Sequence, residues 1–212
     1  HLGGSCVNFG CTPTKAVLAS ARIAHLARRG ADFGIHIDKV SVDFSTVLRR
    51  AREIVDESKQ GLRKSLEKNR VTLIEGHAKF RGRDGDEFVV AVNKRIVNAK
   101  QVIIDTGTRT RVPSVEGLED IDFLDAGNWL ARGSLPNDLV IMGGGYIGLE
   151  MAQFYRRMGS GVTVIDPNKQ IAIHEDEDIA QALQQSLEAE GIQFRLGTRV
   201  TSVKRDGKRV RL

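Results

Sequence analysis

Two cysteines, Cys6 and Cys11, lie five positions apart in GGSCVNFGCTPTK, residues 3–15, and they are the chain's only thiols. On a regular helix that offset gives a rise of about 7.5 Å and a rotation of about 140°, so the side chains would point apart. A disulfide needs Cα atoms within about 7 Å and converging side chains, so pairing requires a distorted turn, which Gly10 is free to supply. Thr12-Pro13 reads as an N-cap and first helical residue, opening a helix that runs to a stop at Gly30. Cys11 then sits at a helix N-terminus, where the partial positive charge of the amides favours a thiolate. From the residues alone two readings stay open, a redox pair or two small apolar side chains in a core. No metal site is expected, because there is no second cysteine pair and the five histidines are scattered.

A second group of residues suits a different chemistry. Gly143, Gly145 and Gly148 of GGGYIG directly follow the apolar run LVIM, residues 139–142, and open a helix through LEMAQFYRRM to Gly159. In that setting the first glycine makes a tight turn, the second lets a diphosphate approach the backbone, and the third lets helix and strand pack closely. Asp166 ends the next strand, VTVID, 18 residues after Gly148. A carboxylate there accepts from a ribose 2′-hydroxyl and repels a 2′-phosphate, so NAD(H) is expected over NADP(H), with Lys169 nearby as the opposing feature.

The elements that must position these groups follow from periodicity. DFSTVLRRAREIVDESKQGLRKSLEKN reads as a long helix with Phe44, Val47, Leu48, Ala51, Val55, Leu62 and Leu66 on one side. From Val71 the period becomes two: VTLIE, HAKF, EFVVAV and QVIID read as strands, RGRDGD and NKR as turns. A loop with Pro113, Gly117, Gly133 and Pro136 leads to the βαβ unit, with LVIM as a short buried strand. A further helix, DEDIAQALQQSLEAE, the strand IQFRL and a terminal hairpin, TSVKRDGKRVRL, complete the chain. The expected class is α/β, with domains at 1–134 and 135–212.

Composition agrees with an ordinary mixed α/β protein: 212 residues, 41% apolar and 5% aromatic. Thirty-two basic against 27 acidic residues give +5, spread along the chain rather than gathered in a patch, so nucleic acid is not an expected partner. The apolar runs are too short to span a membrane and no secretory segment is evident, which points to a cytoplasmic protein.

GGSCVNFGCTPTK, GGGYIGLE and VIIDTGTR together resemble segments of the class I pyridine nucleotide-disulfide oxidoreductases, the flavoprotein disulfide reductases, and are closest to their mercuric-reductase-like and dihydrolipoyl-dehydrogenase-like members. The resemblance implies an incomplete FAD-binding domain followed by a Rossmann-like nicotinamide domain. It also implies electron flow from NAD(P)H through FAD to a Cys6–Cys11 disulfide, and then to a small-molecule disulfide or a metal ion. By the same likeness Cys11 faces the flavin, Cys6 exchanges with substrate, Lys15 lies beside the flavin, and Glu150 is its carboxylate partner in a buried ion pair. Tyr146 would gate the nicotinamide and Ile147 would bind cofactor beside it, while Gly3, Gly4, Ser5, Gly76, Ala78, Thr106 and Gly107 would touch FAD. His77 reads as an ordinary loop residue. A homodimer is implied for the full-length protein. The family's first GxGxxG would precede His1 and its acid–base domain would follow Leu212, so an internal fragment is expected. Asp105 stands where the family has a small residue.

Overall fold

The computed structural model describes residues 1–131, 134–207 and 209–212; Gly133 of the expected loop lies outside them. Among the described residues there are five α-helices and eight strands, the strands forming one antiparallel sheet, one parallel sheet and a hairpin.

Helix α2 (Cys11–Arg28) is central. It buries Ala16, Val17, Ala21 and Ala24, a stripe of small side chains along one face. Small residues let neighbouring backbones come close, and α2 packs against both α3 (Phe44–Lys68) and α4 (Tyr146–Met158). Asp43 caps α3: its carboxylate accepts from the Thr46 N–H at 3.1 Å and from the Ser45 and Thr46 hydroxyls at 2.7 and 2.8 Å. Those donors hold its pKa at about 2, starting with the Ser45 hydroxyl. The expected apolar face of α3 is buried at Phe44, Leu48, Ala51 and Val55 but not at Leu62. That second half meets the five-residue helix α1 (Gly4–Asn8) and the 71–75 segment, with Arg63 bonded to Glu75 at 2.7 Å.

The antiparallel sheet is β1 (Ala78–Asp84), β2 (Glu87–Val92) and β3 (Arg95–Ala99), in that order, with a bulge between Phe80 and Gly82. Three expectations fail here. RGRDGD is mostly strand, because Arg83 pairs with Phe88 across β1–β2 and its guanidinium lies 4.2 Å from the ring centroid, a cation–π contact that holds the pair. The turn shrinks to Gly85 and Asp86, with Gly85 at φ +57°. VTLIE and QVIID are not strands: among the described residues neither pairs in a ladder with another strand, and Ile103 is 93% exposed. The third strand is instead Arg95–Ala99, paired to β2 from Phe88↔Ala99 to Val92↔Arg95.

Strands β4 (Asp138–Met142), β5 (Gly161–Ile165) and β6 (Ile192–Arg195) form the parallel sheet, with α4 and α5 (Glu177–Ala189) as crossovers. This is the anticipated βαβα unit. LVIM is covered on one face only, since Val140 and Met142 remain part-exposed. The hairpin is β7 (Lys204–Asp206) and β8 (Arg209–Arg211). It is tied to the loop before β4 by Val203 N–H donating to Glu116 O at 2.8 Å. One continuous core runs from Val17 and Leu48 through Trp129, Phe154 and Tyr155 to Val164 and Ile171, crossing residue 134 without a break.

Candidate functional site

The cysteine segment is two helices joined by a two-residue turn. Gly3 precedes α1 at φ +86°, and a side chain there would meet Val7 at 2.8 Å. Buried Asn8 donates through Nδ2 to the Leu2 and Gly4 carbonyls, at 2.9 and 2.8 Å, and the Phe9 and Gly10 N–H groups both donate to Ser5 O. Gly10, at φ −106° and ψ −110°, is the N-cap of α2. The helix therefore begins at Cys11, not after Thr12. Pro13 is accommodated because the first-turn N–H groups of a helix have no intrahelical acceptor to lose. Trp129 anchors the turn from below, its indole N–H donating to Phe9 O at 3.0 Å.

This fold-back brings the sulfurs together as two exposed free thiols. The Cys6 thiol is raised above its ordinary pKa, first by its hydrogen bond to Cys11, then by burial and by the Cys11 charge, with the Lys15 ammonium pulling the other way. Lys15 is exposed and its charge is felt at Cys6, while Glu150 is half-buried. No ion pair joins Lys15 to Glu150 among the described residues. Their helices, α2 and α4, do pack directly.

At the head of α4 each glycine has a separate reason. Gly143 is at φ +113° and donates to Ile165 O at 2.9 Å, closing the turn against the end of β5. A Cβ on Gly148 would lie 2.2 Å from Gly143 O, so helix and strand approach only because it is absent. Gly145 has nothing within 4 Å of that position, and α4 has no side-chain cap. Open space before uncapped helix amides fits an anionic diphosphate. Tyr146 and Ile147 are exposed beside it.

Asp166 is 8% exposed. Its Oδ2 accepts from Gly144 N–H at 2.7 Å and its Oδ1 from Asn168 N–H at 2.7 Å and Asn168 Nδ2 at 2.8 Å. The spacing identified the carboxylate; Gly144 and Asn168 escaped notice, although an Asp-Pro-Asn run could have been read as a side chain–backbone turn.

The expected flavin contacts are more dispersed. Gly4 and Gly107, both at positive φ, have open space around them, and Thr106 is exposed on the unpaired 101–112 segment. Gly76 is required by packing instead: a Cβ would lie 2.6 Å from Asn93 Nδ2. Ala78 opens β1 and Ser5 lies in α1, both exposed. Exposed Cys6, Cys11 and Lys15, with open Gly4 beside them, fit a flat ring set against the sulfurs. Among the described residues no three His, Cys, Asp or Glu could hold a metal, and no helix is long and apolar enough to cross a membrane.

Residues 1–212 match the family model described as pyridine nucleotide-disulphide oxidoreductase. A dihydrolipoyl dehydrogenase of Cupriavidus necator is 37% identical over 205 residues, 96% of this chain and 43% of the relative. A mercuric reductase of Bacillus cereus is 32% identical over 207 residues, 97% of this chain and 32% of the relative. The HOCl-induced flavoprotein disulfide reductase RclA from Escherichia coli superposes with a TM-score of 0.81 at 26% identity, over 98% of this chain and 44% of that one. The chain thus spans less than half the length of these relatives.

Proposed function

Because the chain belongs to the pyridine nucleotide-disulphide oxidoreductase family, we propose that it is the part of an NADH-dependent, FAD-dependent oxidoreductase that delivers electrons to a Cys6–Cys11 disulfide. The carrying observation is the packing of the cysteine helix α2 directly on α4, whose first turn carries the glycine-rich site. Residues 1–134 are assigned to the flavin and 135–212 to the nicotinamide nucleotide.

Gly143, Gly145 and Gly148 seat the diphosphate, Asp166 takes a ribose hydroxyl, and Tyr146 and Ile147 flank the nicotinamide side. Gly3, Gly4, Ser5, Gly76, Ala78, Thr106 and Gly107 line the flavin. When bound, FAD supplies the two-electron relay between the nicotinamide hydride and the sulfurs. Cys11 and Lys15 hold the flavin-facing side of the pair, with Glu150 supporting that side from α4. Two electrons and two protons convert the Cys6–Cys11 disulfide to two thiols. Cys6 then loses its proton and attacks a substrate disulfide, forming a mixed disulfide with one of its sulfurs while the other leaves as a thiol that takes up the proton. Cys11 displaces the second thiol and restores the bond. Dihydrolipoyl and mercuric substrates are what the relatives' names specify, which supports a small disulfide or a metal ion as substrate class for a homodimeric full-length protein.

Thiol titration of the intact protein, before and after NADH in the presence of FAD, tests this reading. Two thiols should appear on reduction, with a long-wavelength flavin band that Cys11→Ser abolishes. Two thiols that stay free in air with oxidised FAD would overturn it and favour a nucleotide-binding module with structural cysteines.

A further inference from the structure

The Asp166 carboxylate is occupied before any nucleotide arrives. Of roughly four acceptor directions on its two oxygens, Gly144 N–H takes one and Asn168 takes two, one through its backbone and one through its side-chain amide. A carboxylate here only accepts, so the Asn168 amide is oriented with Nδ2 toward it. The segment after β5 is fixed by further contacts. Ala172 N–H donates to Gly144 O at 2.8 Å, Gly197 N–H donates to Asn168 O at 2.8 Å, and Ile171 is fully buried beneath Gly144. Residues 166–172 therefore form a strap clasping the glycine turn, with Asn168 as the side chain that, among the described residues, donates to the carboxylate.

We propose that Asn168 is a positioning residue that sets the preference for NADH over NADPH, by locking Asp166 so that one acceptor direction faces the ribose. It rests on the dinucleotide reading above and deepens it. A single free acceptor suits a 2′-hydroxyl, which donates one hydrogen. A 2′-phosphate has no hydrogen to donate there and brings like charge against a carboxylate that cannot rotate away. Removing the Asn168 amide frees the carboxylate to turn and relaxes the discrimination against that phosphate, while the backbone anchors at Asn168 N–H and O stay in place.

Equilibrium binding of NADH and NADPH to the intact protein, followed by nicotinamide fluorescence, tests the proposal alongside the kcat/KM ratio. Asn168→Ala should lower the NADH:NADPH preference about tenfold, the weight of one hydrogen bond to a charged group. Asn168→Ser, which keeps a short donor, should retain more of the preference and serves should the alanine variant fail to fold. In an Asp166→Ala background, Asn168→Ala should change the ratio less than about twofold, since its route runs through that carboxylate. An unchanged ratio in Asn168→Ala, or an equal fall in both backgrounds, overturns the role of Asn168 while leaving the dinucleotide site intact. A wild-type protein that prefers NADPH overturns the role of Asn168 together with the NADH dependence of the proposed function.

Discussion

Arg157 and Glu190 meet in a two-bond fork, Nε to Oε2 at 2.6 Å and Nη2 to Oε1 at 2.7 Å, with side chains 15% and 13% exposed. Gln153 donates to the same carboxylate at 2.8 Å, and His25 Nδ1 lies 3.6 Å from it. Arg28 donates to the Arg157 carbonyl, while Arg156 Nε donates to Glu190 O at 2.8 Å. Three elements are tied by these contacts: the far end of the cysteine helix, the far end of the nucleotide helix, and the turn after α5. The N-terminal ends of the same two helices carry Cys11 and Gly145, so the cluster sets how those ends face each other. Glu190→Ala strands the Arg157 charge. Removal of one partner of a buried pair costs about 3–5 kcal/mol, and partial exposure reduces this to about 2–3 kcal/mol, read as a lower urea midpoint with an unchanged slope.

The same cluster predicts a pH dependence. Burial holds His25 below its ordinary pKa, aided by the positive charges of Arg157, Arg29 and Arg28 and opposed by Glu190. For Glu190, burial works to raise the carboxyl, but the hydrogen bond and charge of Arg157, with His25 and Gln153, hold it below its ordinary value. Both groups bind protons more readily unfolded than folded, so both contributions are present above their unfolded values and are lost as pH falls. Stability should therefore decline from about pH 6.5 downward and again below about pH 4.5, the ordinary His and Glu ranges. Denaturant midpoints at pH 7.5, 6, 5 and 3.5 measure both steps, and His25→Gln should flatten the upper one. A rise in stability on acidification would contradict the assignment.

Gly148 and Gly145 should separate folding from binding. A methyl on Gly148 meets Gly143 O at 2.2 Å and neither backbone can retreat, so Gly148→Ala should cost about 1–3 kcal/mol and weaken NADH binding together with it. Gly145, at φ −78° and ψ 172°, accepts alanine without strain and has open space around it. Gly145→Ala should keep its unfolding midpoint yet lose NADH affinity, because the methyl occupies the room left for the diphosphate. If Gly145→Ala binds NADH normally, the nucleotide does not lie across this turn.

The contrast between these glycines also marks what was legible in the amino-acid order. The βαβ unit could be read because strand, turn glycines and acid are local, and each is demanded by backbone geometry. Residues 101–105 and 71–75 misled for a physical reason: alternation records a strand's willingness to pair, whereas pairing depends on a neighbour elsewhere in the chain. Arg95 reads as the end of a turn and Ile96–Ala99 as no element, yet Arg95–Ala99 is strand because β2 lies alongside. Helix α1 was too short for any period to register. Glu190 does its work through side chains meeting across the fold, 33 residues away in the case of Arg157, and spacing carries no trace of that, whereas Asn168 bonds Asp166 only two residues back and lies within reach of a local reading.

The adjacency of the two sulfurs can be read in solution from one of them. Cys11 is the chief cause of the raised Cys6 pKa, through its hydrogen bond first and its charge after burial, and Lys15 is the cation opposing it. The thiolate is the reactive form, so the pH at which Cys6 becomes half-maximally alkylated reports its pKa. Under reducing conditions, Cys11→Ala should move that midpoint down, since the partner that stabilises the protonated form is gone. Lys15→Met in the otherwise native protein should move it up, since a favourable positive charge is gone. The two shifts have opposite signs, which a general loosening of the segment would not produce. A Cys6 midpoint that Cys11→Ala leaves unmoved would mean that the turn at Gly10 does not hold the sulfurs together, and the proposed disulfide would lose its geometric basis.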